Sequence, residues 1–306
     1  MKSLIYRILR KLQSPVINAI EQESKNLDKR LLEVKQQIDS LSKKVGVIYN
    51  EQQKIKDIAV SNHDRIAERT EKLFEVRKTA AYSKAFEANP LVSIRIATYN
   101  RSDDLVNKAI ASALKQTYQN IEVVVVGDHC TDDTEAKVKE ISDKRVRFYN
   151  LPSRMPYPED RMRRWQVVGV HPKNFAADMA KGQWIATLDD DDEMGPDQIE
   201  KLVKCALDSR CELVYGAATR IDVTTKKKNR LWSFPPERGQ FTFNTAIYMK
   251  ALDPIFKSDI KAWALDEVHD WTMCRQMLES GVLVAAIEDN LGMVYMTPPL
   301  SDKKDY

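Results

Sequence analysis

The 306-residue chain predicts an α/β protein in which a mixed sheet flanked by helices follows a long N-terminal α-helical coiled coil. Apolar residues recur at heptad spacing from Leu27 to Leu73, which is typical of a coiled coil. From Leu91 onward, short apolar strands alternate with amphipathic helices. One strand ends in four consecutive aspartates, Asp189–Asp192. Because open α/β sheets bind ligands beyond the carboxyl ends of their strands, these aspartates mark a candidate site.

Composition limits the possible classes of protein. The chain is longer than one ordinary core requires, so we expect a main domain with an appended element. No stretch reaches the roughly 18 apolar residues that a membrane span needs. The four cysteines show no C-x-x-C spacing and are expected to be reduced thiols, which favours a cytoplasmic protein. Residues 1–90 hold 18 Lys and Arg against 12 Asp and Glu, and the rest holds 30 against 33. The basic charges alternate with acidic ones and lack interleaved aromatics, so no nucleic acid is expected as a partner.

The coiled coil is predicted for residues 16–80. Sustained 4-3 spacing places one apolar stripe on a helix and requires a partner helix to cover it. A lone helix packed on the main domain is the alternative, but about seventy residues of helix would extend roughly 100 Å, beyond any such domain. We therefore expect a homo-oligomer through residues 16–80, with the number of strands left open. The two seam positions hold Leu31, Ile38, Val45, Gln52, Ala59, Ile66 and Leu73, and Leu27, Val34, Leu41, Ile48, Ile55, Asn62 and Arg69.

Residues 1–15 predict a basic amphipathic helix ahead of the heptads. A helix of this kind can lie in an anionic membrane interface, although three turns bind weakly unless several copies act together. Two interpretations stay open, namely peripheral contact with the inner face of the cell membrane and a frayed start of the coiled coil. The apolar face comprises Leu4, Ile5, Ile8, Leu9 and Leu12.

A βαβ unit begins the main domain, which is predicted for residues 91–300. The strand Leu91–Ala97 is followed by a helix from about Ser102 and then by the strand Ile121–Val126. The second strand is apolar at nearly every position, as expected of a parallel strand covered on both faces. Further elements are predicted at Val146–Tyr149, Gln183–Leu188 and Ile199–Leu207.

The aspartate run suggests a metal site. Closely packed carboxylates repel one another, and a divalent cation that brings a phosphate with it would neutralise them. Oxygen ligands suit Mg²⁺ or Mn²⁺, which typically bind one or two carboxylates together with substrate phosphates. An acidic run by itself is more often a solvated loop, but its position after the buried strand Gln183–Leu188 favours the metal.

Several sequence blocks follow one another at suitable separations: Val92–Arg101, Leu114–Tyr118, Ile121–Asp128, Thr131–Thr134, Lys181–Asp192 and Pro196–Asp197. With these blocks the chain resembles the family-2 inverting glycosyltransferases of the GT-A fold, densely over about residues 91–206 and more thinly to about residue 297. The resemblance implies a Rossmann-like GT-A sheet, a UDP-sugar donor and a carbohydrate or lipid-linked glycan acceptor. A dTDP-sugar is less expected. It also implies a metal-dependent transfer of one sugar per visit, without processive synthesis.

A nucleotide pocket at the ends of the first strands is the next implication. Thr98 matches the position that touches the nucleotide, and Asp128 matches the carboxylate that accepts the N3–H of uracil. A carboxylate there rejects cytosine, which presents an acceptor at that edge, but does not reject thymine. Where the family has Asp-Asp-Gly-Ser, this chain has Gly127, Asp128, His129 and Cys130. His129 either contacts the base or fills the loop.

The same matching assigns the metal ligands. Asp191 is expected to bind Mn²⁺ or Mg²⁺ directly, with Asp189 as the second metal ligand. Asp189 or Asp190 is expected to contact the ribose or a metal-bound water. The other predicted nucleotide contacts are Tyr99, Asn100, Arg101 and Asn174.

Arginines between the third strand and the metal run are candidates for the diphosphate. Arg163 or Arg161 falls where related enzymes supply such a contact, because a guanidinium can bind phosphate oxygens bidentately. Arg164 is a weaker candidate. Surface charges on a loop are the alternative for all three.

Inverting transfer requires a carboxylate that removes the proton from the acceptor hydroxyl while the diphosphate leaves from the opposite face. Asp270 is the predicted base, since its segment resembles the family's Glu-Asp pair at a helix start, with His269 in place of the Glu. Asp266 and Glu267 are rivals, and each of the three could be an ordinary acid at a helix N-terminus. Aromatic residues expected in the acceptor site or in the core are Trp232, Phe234, Trp263 and Trp271.

A second interpretation belongs to a different class of protein. His129, Cys130 and His269 depart from the family pattern and are compatible with a transferase-like domain that has lost activity. The chain would then act as a scaffold through its coiled coil.

Overall fold

The computed structural model describes residues 2–296, except for the side chains at positions 4, 6, 9, 10, 12–14, 54, 55 and 57–61. It divides into two compact units, Met1–Arg65 and Ile66–Tyr306. The predicted seam residues Ile55 and Ala59 and parts of the predicted amphipathic face lie outside the described side chains.

A single long helix, α1 (Lys2–Arg77), accounts for the first unit. The long N-terminal helix that the heptads predict is therefore confirmed, whereas its pairing with other helices stays a prediction. The first seven seam residues are 49% to 63% exposed, so this part of the apolar stripe is about half-exposed in the described helix. Those residues are Leu27, Leu31, Val34, Ile38, Leu41, Val45 and Ile48.

The last turns of α1 belong to the second unit. Leu73 is 1% exposed and packs in the main hydrophobic core, so this predicted seam residue is not available to a partner helix. The guanidinium of Arg77 donates to both carboxylate oxygens of the buried Glu212 at 2.6 and 2.8 Å. The hydroxyl of Tyr82, in the short helix α2 (Ala80–Lys84), donates to the same carboxylate. The segment ahead of residue 91 is thus fixed to the sheet domain.

Among residues 66–296, one mixed sheet of nine strands, β1 to β9 in chain order, has the spatial order β3-β2-β1-β4-β8-β6-β9-β5, with β7 paired to β6. Strands β1 to β4 are parallel, and β8 runs antiparallel to β4. The strands are β1 (Val92–Thr98), β2 (Ile121–Gly127), β3 (Val146–Asn150), β4 (Trp184–Asp189), β5 (Glu193–Met194), β6 (Leu213–Asp222), β7 (Lys228–Leu231), β8 (Ala246–Met249) and β9 (Val284–Met296).

Helices cover the sheet. The first crossover is α3 (Ser102–Asp104), a π-helical turn (Leu105–Ile110) and α4 (Ala111–Leu114). The apolar residues of this stretch, including Leu105 and Ala109, are fully buried. The remaining helices are α5 (Thr134–Lys139), α6 (Arg161–Val167), α7 (Val170–Met179), α8 (Gln198–Ser209) and α9 (His269–Glu279).

The predicted elements of the first half agree with the structure to within one or two residues at each end. No strand beyond β4 was predicted from the sequence. The unpredicted strands include the longest described ones, β6 and β9, which pair in parallel with register shifts near Ala217. Among residues 2–296, no helix combines the length and the hydropathy that crossing a bilayer would need.

Candidate active site

The candidate site lies where the strand order reverses. Strand β1 lies between β2 and β4, and the register pairs Thr98 with Gly127 and Ala97 with Asp189. The backbone N–H of Asp128 donates to the carbonyl of Thr98 at 2.8 Å. The carboxyl ends of three parallel strands thus bring Thr98, Asp128 and the aspartate run to one edge, which is the usual ligand position in such sheets.

The four aspartates fall into two pairs by exposure. The side chains of Asp189 and Asp191 are 37% and 25% exposed. Asp190 and Asp192 are buried. The two predicted metal ligands are therefore the two carboxylates that a cation can reach from solvent.

Asp190 and Asp191 share one cation, Arg101. Its Nη1 lies 2.7 Å from Oδ2 of Asp191 and 3.3 Å from Oδ1 of Asp190. The hydroxyl of Thr98 donates to the other oxygen of Asp190 at 2.7 Å. Burial disfavours the charged carboxylate and raises the pKa of Asp190 to about 7, although Arg101 opposes the shift. Burial likewise raises the pKa of Asp191, and the charge of Asp189 adds to the effect.

Asp192 serves the fold. Its carboxylate accepts hydrogen bonds from the side-chain amide of Asn244 and from the backbone N–H of Tyr295. Burial and the charges of Asp189 and Asp191 hold the pKa of Asp192 well above its usual range. The turn after β4 is thereby joined to β9.

Residues 2–296 contain no group of three or more His, Cys, Asp or Glu side chains that could by itself hold a metal ion. A Mg²⁺ or Mn²⁺ site that borrows phosphate oxygens from its substrate needs only one or two carboxylates. Asp191 and Asp189 are both partly exposed and therefore meet that need. The donor set therefore fits a divalent cation that binds together with a diphosphate.

Asp128 lies at the centre of a second cluster. Its Oδ2 accepts from the hydroxyl of Tyr157 at 2.8 Å and from Nε of Arg154 at 3.2 Å. The guanidinium of Arg154 also lies 3.6 Å from the centre of the Tyr99 ring. Within the described part of the chain, Oδ1 of Asp128 and Nη2 of Arg154 are both buried without a hydrogen-bond partner. An unpaired acceptor and an unpaired donor thus belong to two side chains that contact each other, and one of these side chains lies over an aromatic ring.

The departure from the family pattern at position 127 has a physical reason. A Cβ on Gly127 would lie 2.6 Å from Oδ1 of Asn150, so a larger residue would displace the Asn150 side chain. The Asn150 amide instead donates to the carbonyl of Cys130 and accepts from its N–H, each at 2.8 Å. His129 is exposed and adopts a left-handed conformation, with φ of 63° and Nδ1 at 3.3 Å from the carbonyl of Leu151. Asn150 therefore fixes the loop without the acidic residue.

The arginines predicted to bind the diphosphate lie on or next to α6. The guanidinium of Arg163 lies 4.8 Å from the centre of the Trp263 ring. Arg164 donates to the carbonyls of Pro158 and Glu159 and so stabilises its own loop. A cavity of about 610 Å³ lies beside this loop; its lining includes Tyr157, Asp160, Arg163, Lys261 and Trp263.

Two asparagines predicted to contact the nucleotide form hydrogen bonds with the backbone of neighbouring loops. The amide of Asn174 donates to the carbonyl of Ser258 at 2.9 Å and accepts from its N–H at 3.1 Å. Asn100 accepts from the N–H of Thr131 at 2.9 Å and joins the loops after β1 and β2. In this structure Asn174 supports the loop before α9 and does not face the Asp128 cluster through any described contact.

Asp270, the predicted base, lies at the first turn of α9 next to the aspartate run. Its Oδ1 is buried, 3.8 Å from Nζ of Lys173 and 3.0 Å from Nδ1 of His269, while the side chain as a whole is 23% exposed. Burial alone would raise the pKa of Asp270, but His269 and Lys173 outweigh burial and lower it. Asp270 is therefore fully ionised at neutral pH.

The rival acids are engaged elsewhere. Both oxygens of Glu267 accept from Arg275, and Oε2 also accepts from the hydroxyl of Thr272. The side chain of Asp266 is 88% exposed and accepts from Gln166. Among the three candidates, only Asp270 shares a described cation with the aspartate run, because Nζ of Lys173 also lies 3.0 Å from Oδ1 of Asp189.

The aromatic candidates divide between core and surface. Trp232 and Trp271 pack against the main hydrophobic core, and Trp263 packs on Val167 and Val170. Phe234 is 63% exposed. Only Phe234 is therefore free to offer most of its ring to a ligand.

Sequence reasoning missed four polar residues of this site. Arg154 and Tyr157 lie in the Pro- and Arg-rich segment, but the arginines closer to the helix matched the family better. Lys173 directly precedes Asn174. The available signal was a Lys on a helix face that is otherwise apolar. Asn244 lies in a stretch without a recognisable pattern.

Comparison with known proteins identifies the class. The model of glycosyl transferase family 2 matches residues 93–157 and 173–269, more than half of the chain. The chain therefore belongs to glycosyl transferase family 2, as the sequence blocks predict.

Particular relatives narrow the comparison. The succinoglycan biosynthesis protein ExoO of Rhizobium meliloti is 38% identical over 122 residues, which are 40% of this chain and 31% of that protein. The Escherichia coli enzyme WfgD, a UDP-Glc:α-D-GlcNAc-diphosphoundecaprenol β-1,3-glucosyltransferase, is 31% identical over 126 residues, 41% of this chain and 45% of WfgD. The aligned region thus spans less than half of each of these two relatives.

Among solved structures, the Staphylococcus aureus TarS 1-349 complex with UDP superposes with a TM-score of 0.53 at 18% identity. The superposition covers 68% of this chain and 61% of that one. This likeness establishes the fold, and the predicted GT-A sheet flanked by helices is confirmed.

A pH-dependent effect of Asp190 follows from its raised pKa. In the unfolded chain this carboxyl ionises near 3.8, and in the folded protein near 7. Between these values the folded state binds a proton that the unfolded state has lost, so the contribution of Asp190 to stability falls as pH rises. We expect Asp190→Asn, measured in a metal chelator, to be more stable relative to wild type at pH 8 than at pH 4. Asp208→Asn, on an exposed helix end, is the control. An equal stability difference at both pH values would contradict the assignment.

Proposed function

We propose that this protein transfers one sugar from a UDP-sugar to a glycan or lipid-linked glycan acceptor, with inversion at the sugar and with Mn²⁺ or Mg²⁺ as cofactor. The observation that carries the proposal is the unpartnered, buried Oδ1 of Asp128 at the same sheet edge as Asp189 and Asp191. A base-reading group and a phosphate-neutralising group are both needed for a nucleoside diphosphate. Here they follow β2 and β4, the two parallel strands on either side of β1.

The Asp128 cluster complements the edge of uracil. Oδ1 of Asp128 supplies an acceptor for N3–H, and Nη2 of Arg154 supplies a donor for a neighbouring carbonyl. Cytosine presents an acceptor at N3 and would face the carboxylate unfavourably. Tyr99 offers a ring for stacking on the base after the Arg154 guanidinium has moved off part of the ring face. The cluster therefore favours UDP over cytidine nucleotides.

The aspartate run serves the diphosphate. Asp191 and Asp189 would hold the divalent cation, which neutralises the charge that develops on the leaving diphosphate when it is bound. Arg101 lies against Asp190 and Asp191 and limits the repulsion between them. A contact of Arg161 or Arg163 with the phosphates stays a prediction.

Asp270 would act as the base. Its buried Oδ1 faces Lys173 and His269, and the exposed part of the carboxylate is left for the acceptor hydroxyl. Its lowered pKa keeps the carboxylate ionised at neutral pH, which is the protonation state that a proton acceptor requires.

The relatives support the acceptor class. WfgD is named for a lipid-diphosphate-linked GlcNAc acceptor and ExoO for the biosynthesis of a polysaccharide. By analogy, we place this chain in polysaccharide biosynthesis for the cell envelope, on the cytoplasmic side, with the acceptor at the inner face of the cell membrane. Flotation with anionic liposomes, comparing the intact chain with one starting at Ser14, tests the membrane contact of residues 1–15.

Self-association through the coiled coil completes the proposal. The apolar stripe from Leu27 to Ile48 is half-exposed in the single chain, and a second copy would bury it. Several copies would also present several N-terminal helices to one membrane.

The alternative function is a catalytically weak or inactive scaffold. It is favoured by Arg101 and Lys173, which already pair with the aspartates that would bind the cation. UDP binding without turnover of any UDP-sugar donor would support this alternative over the proposed transferase.

Base recognition is tested by calorimetry in Mn²⁺. We expect the wild type to bind UDP more tightly than CDP, and Asp128→Asn to weaken UDP binding by about 10- to 100-fold, the usual value of a hydrogen bond to a charged group. Asp133→Asn, in the same loop but bonded to Ser102, is the matched control and should bind UDP normally. An unchanged UDP affinity in Asp128→Asn would remove Asp128 from the base site.

The role of the base is tested by turnover. Asp270→Asn should lower kcat for sugar transfer by about 10²- to 10⁴-fold, because it cannot accept the proton, while UDP binding survives. Asp266→Asn should retain activity, since this exposed acid lies outside the proposed chemistry. Near-normal turnover in Asp270→Asn would exclude it from the mechanism.

Oligomerisation is tested by sedimentation of two shortened chains. A chain starting at Ile66 should form a smaller assembly than the intact protein. Its sheet domain should be equally stable because it keeps the whole second unit. Tryptophan fluorescence can measure that stability, since all five tryptophans follow residue 66. A chain starting at Ala80 also loses Leu73 and the Arg77–Glu212 pair. It should lose at least about 3 kcal/mol of stability, from the emptied core position and the unpaired buried carboxylate. An unchanged assembly size in the first chain would refute the coiled-coil assignment.

A further inference from the structure

We infer that Lys173 is a positioning residue that holds the base Asp270 at a fixed distance from the donor-side carboxylate Asp189. The inference rests on the proposed sugar transfer and adds to it a residue that couples the two halves of the site. In the proposed arrangement, Lys173 contacts neither the sugar donor nor the acceptor directly. It acts through the two carboxylates.

The geometry is that of a bridge. Nζ of Lys173 lies 3.0 Å from Oδ1 of Asp189, at the end of β4, and 3.8 Å from Oδ1 of Asp270, at the start of α9. The lysine side chain is only 6% exposed, so water screens these two interactions little. One ammonium group thus joins two elements that are far apart in sequence.

Hydrogen bonds hold the backbone of Lys173 in place. Lys173 extends from α7, and its carbonyl accepts from Nη1 of Arg95, at 3.4 Å. Arg95 is 1% exposed in β1, and its Nε donates to Thr187 in β4. The lysine backbone is therefore tied to the same two strands that carry the nucleotide and metal residues.

The two carboxylates depend on Lys173 unequally. Asp189 has a second partner, because Asn244 donates to its Oδ2 at 3.2 Å. Oδ1 of Asp270 is buried, and besides Lys173 only the imidazole of His269 lies beside it among the contacts described. Removal of the ammonium would thus leave Asp189 held and Asp270 loosely placed.

This asymmetry separates catalysis from binding. A displaced base reduces the fraction of bound acceptor in a reactive geometry, and a misplacement of about 1 Å can cost 10²-fold in rate. Donor binding depends on the Asp128 cluster and on the aspartate run, which keep their other partners. The loss should therefore appear in kcat and not in the affinity for UDP.

The experiment compares Lys173→Met with Lys201→Met in the full-length protein. Lys201 also pairs with two carboxylates, those of Asp197 and Asp289, but lies on the surface away from the site. We expect Lys173→Met to lower kcat by about 10- to 100-fold. Its Kd for UDP in Mn²⁺, measured by calorimetry, should stay within about threefold of wild type. Lys201→Met should match wild type in both measurements, and Lys173→Arg should recover part of the lost kcat because it restores the positive charge.

A double variant isolates the route of the effect. If Lys173 acts through the base, adding Lys173→Met to Asp270→Asn should cause little further loss of turnover. A full additional loss would overturn the inference, as would a UDP affinity weakened more than tenfold with kcat unchanged. A Lys173→Met protein that fails to fold, judged by tryptophan fluorescence, would also overturn it, since Lys173 would then be a residue of the core. Failure of the wild type to transfer sugar from any UDP-sugar would instead reject the proposed function.

Discussion

The structure depends on how the negative charge of four adjacent aspartates at the end of one buried strand is compensated. Two cations of the protein, Arg101 and Lys173, and the amide of Asn244 take part of that charge. Burial raises the pKa values of Asp190, Asp191 and Asp192, and the charges of the neighbouring aspartates add to the rise. In the proposed function, a divalent cation bound with a diphosphate would neutralise further negative charge at this turn.

The departures from the family pattern are locally compensated. Gly127 leaves room for the Asn150 side chain, which hydrogen-bonds both backbone groups of Cys130. His269, where the family has an acid, lies against the base and helps to lower its pKa. Neither change removes a group that the proposed chemistry needs, which favours the enzyme over the inactive scaffold.

The sequence predicted the first half of the domain well because its strands are mostly apolar and its helices amphipathic. Pattern and burial agree there, so β1, β2 and β4 could be placed to within a residue or two. Strands β6 and β9 carry polar residues and pair over a long sequence separation with register shifts, which periodicity does not reveal, and β7 and β8 are only four residues long. The same limit applies to the site. Asp128 and the aspartates follow strand ends and could be found, whereas Arg154 and Asn244 reach the site from loops. Leu73 fits the heptad stripe, yet packs in the core because the last turns of α1 lie on the sheet domain.

The central claim is that the charge at the end of β4 is completed by a divalent cation together with the diphosphate of UDP. Calorimetric titration of the wild type with UDP, first in a chelator and then in Mn²⁺, tests it most directly. The account predicts that Mn²⁺ tightens UDP binding by roughly tenfold or more, as expected when two ligands share one site and favour each other. Equal UDP affinity in both conditions would contradict it.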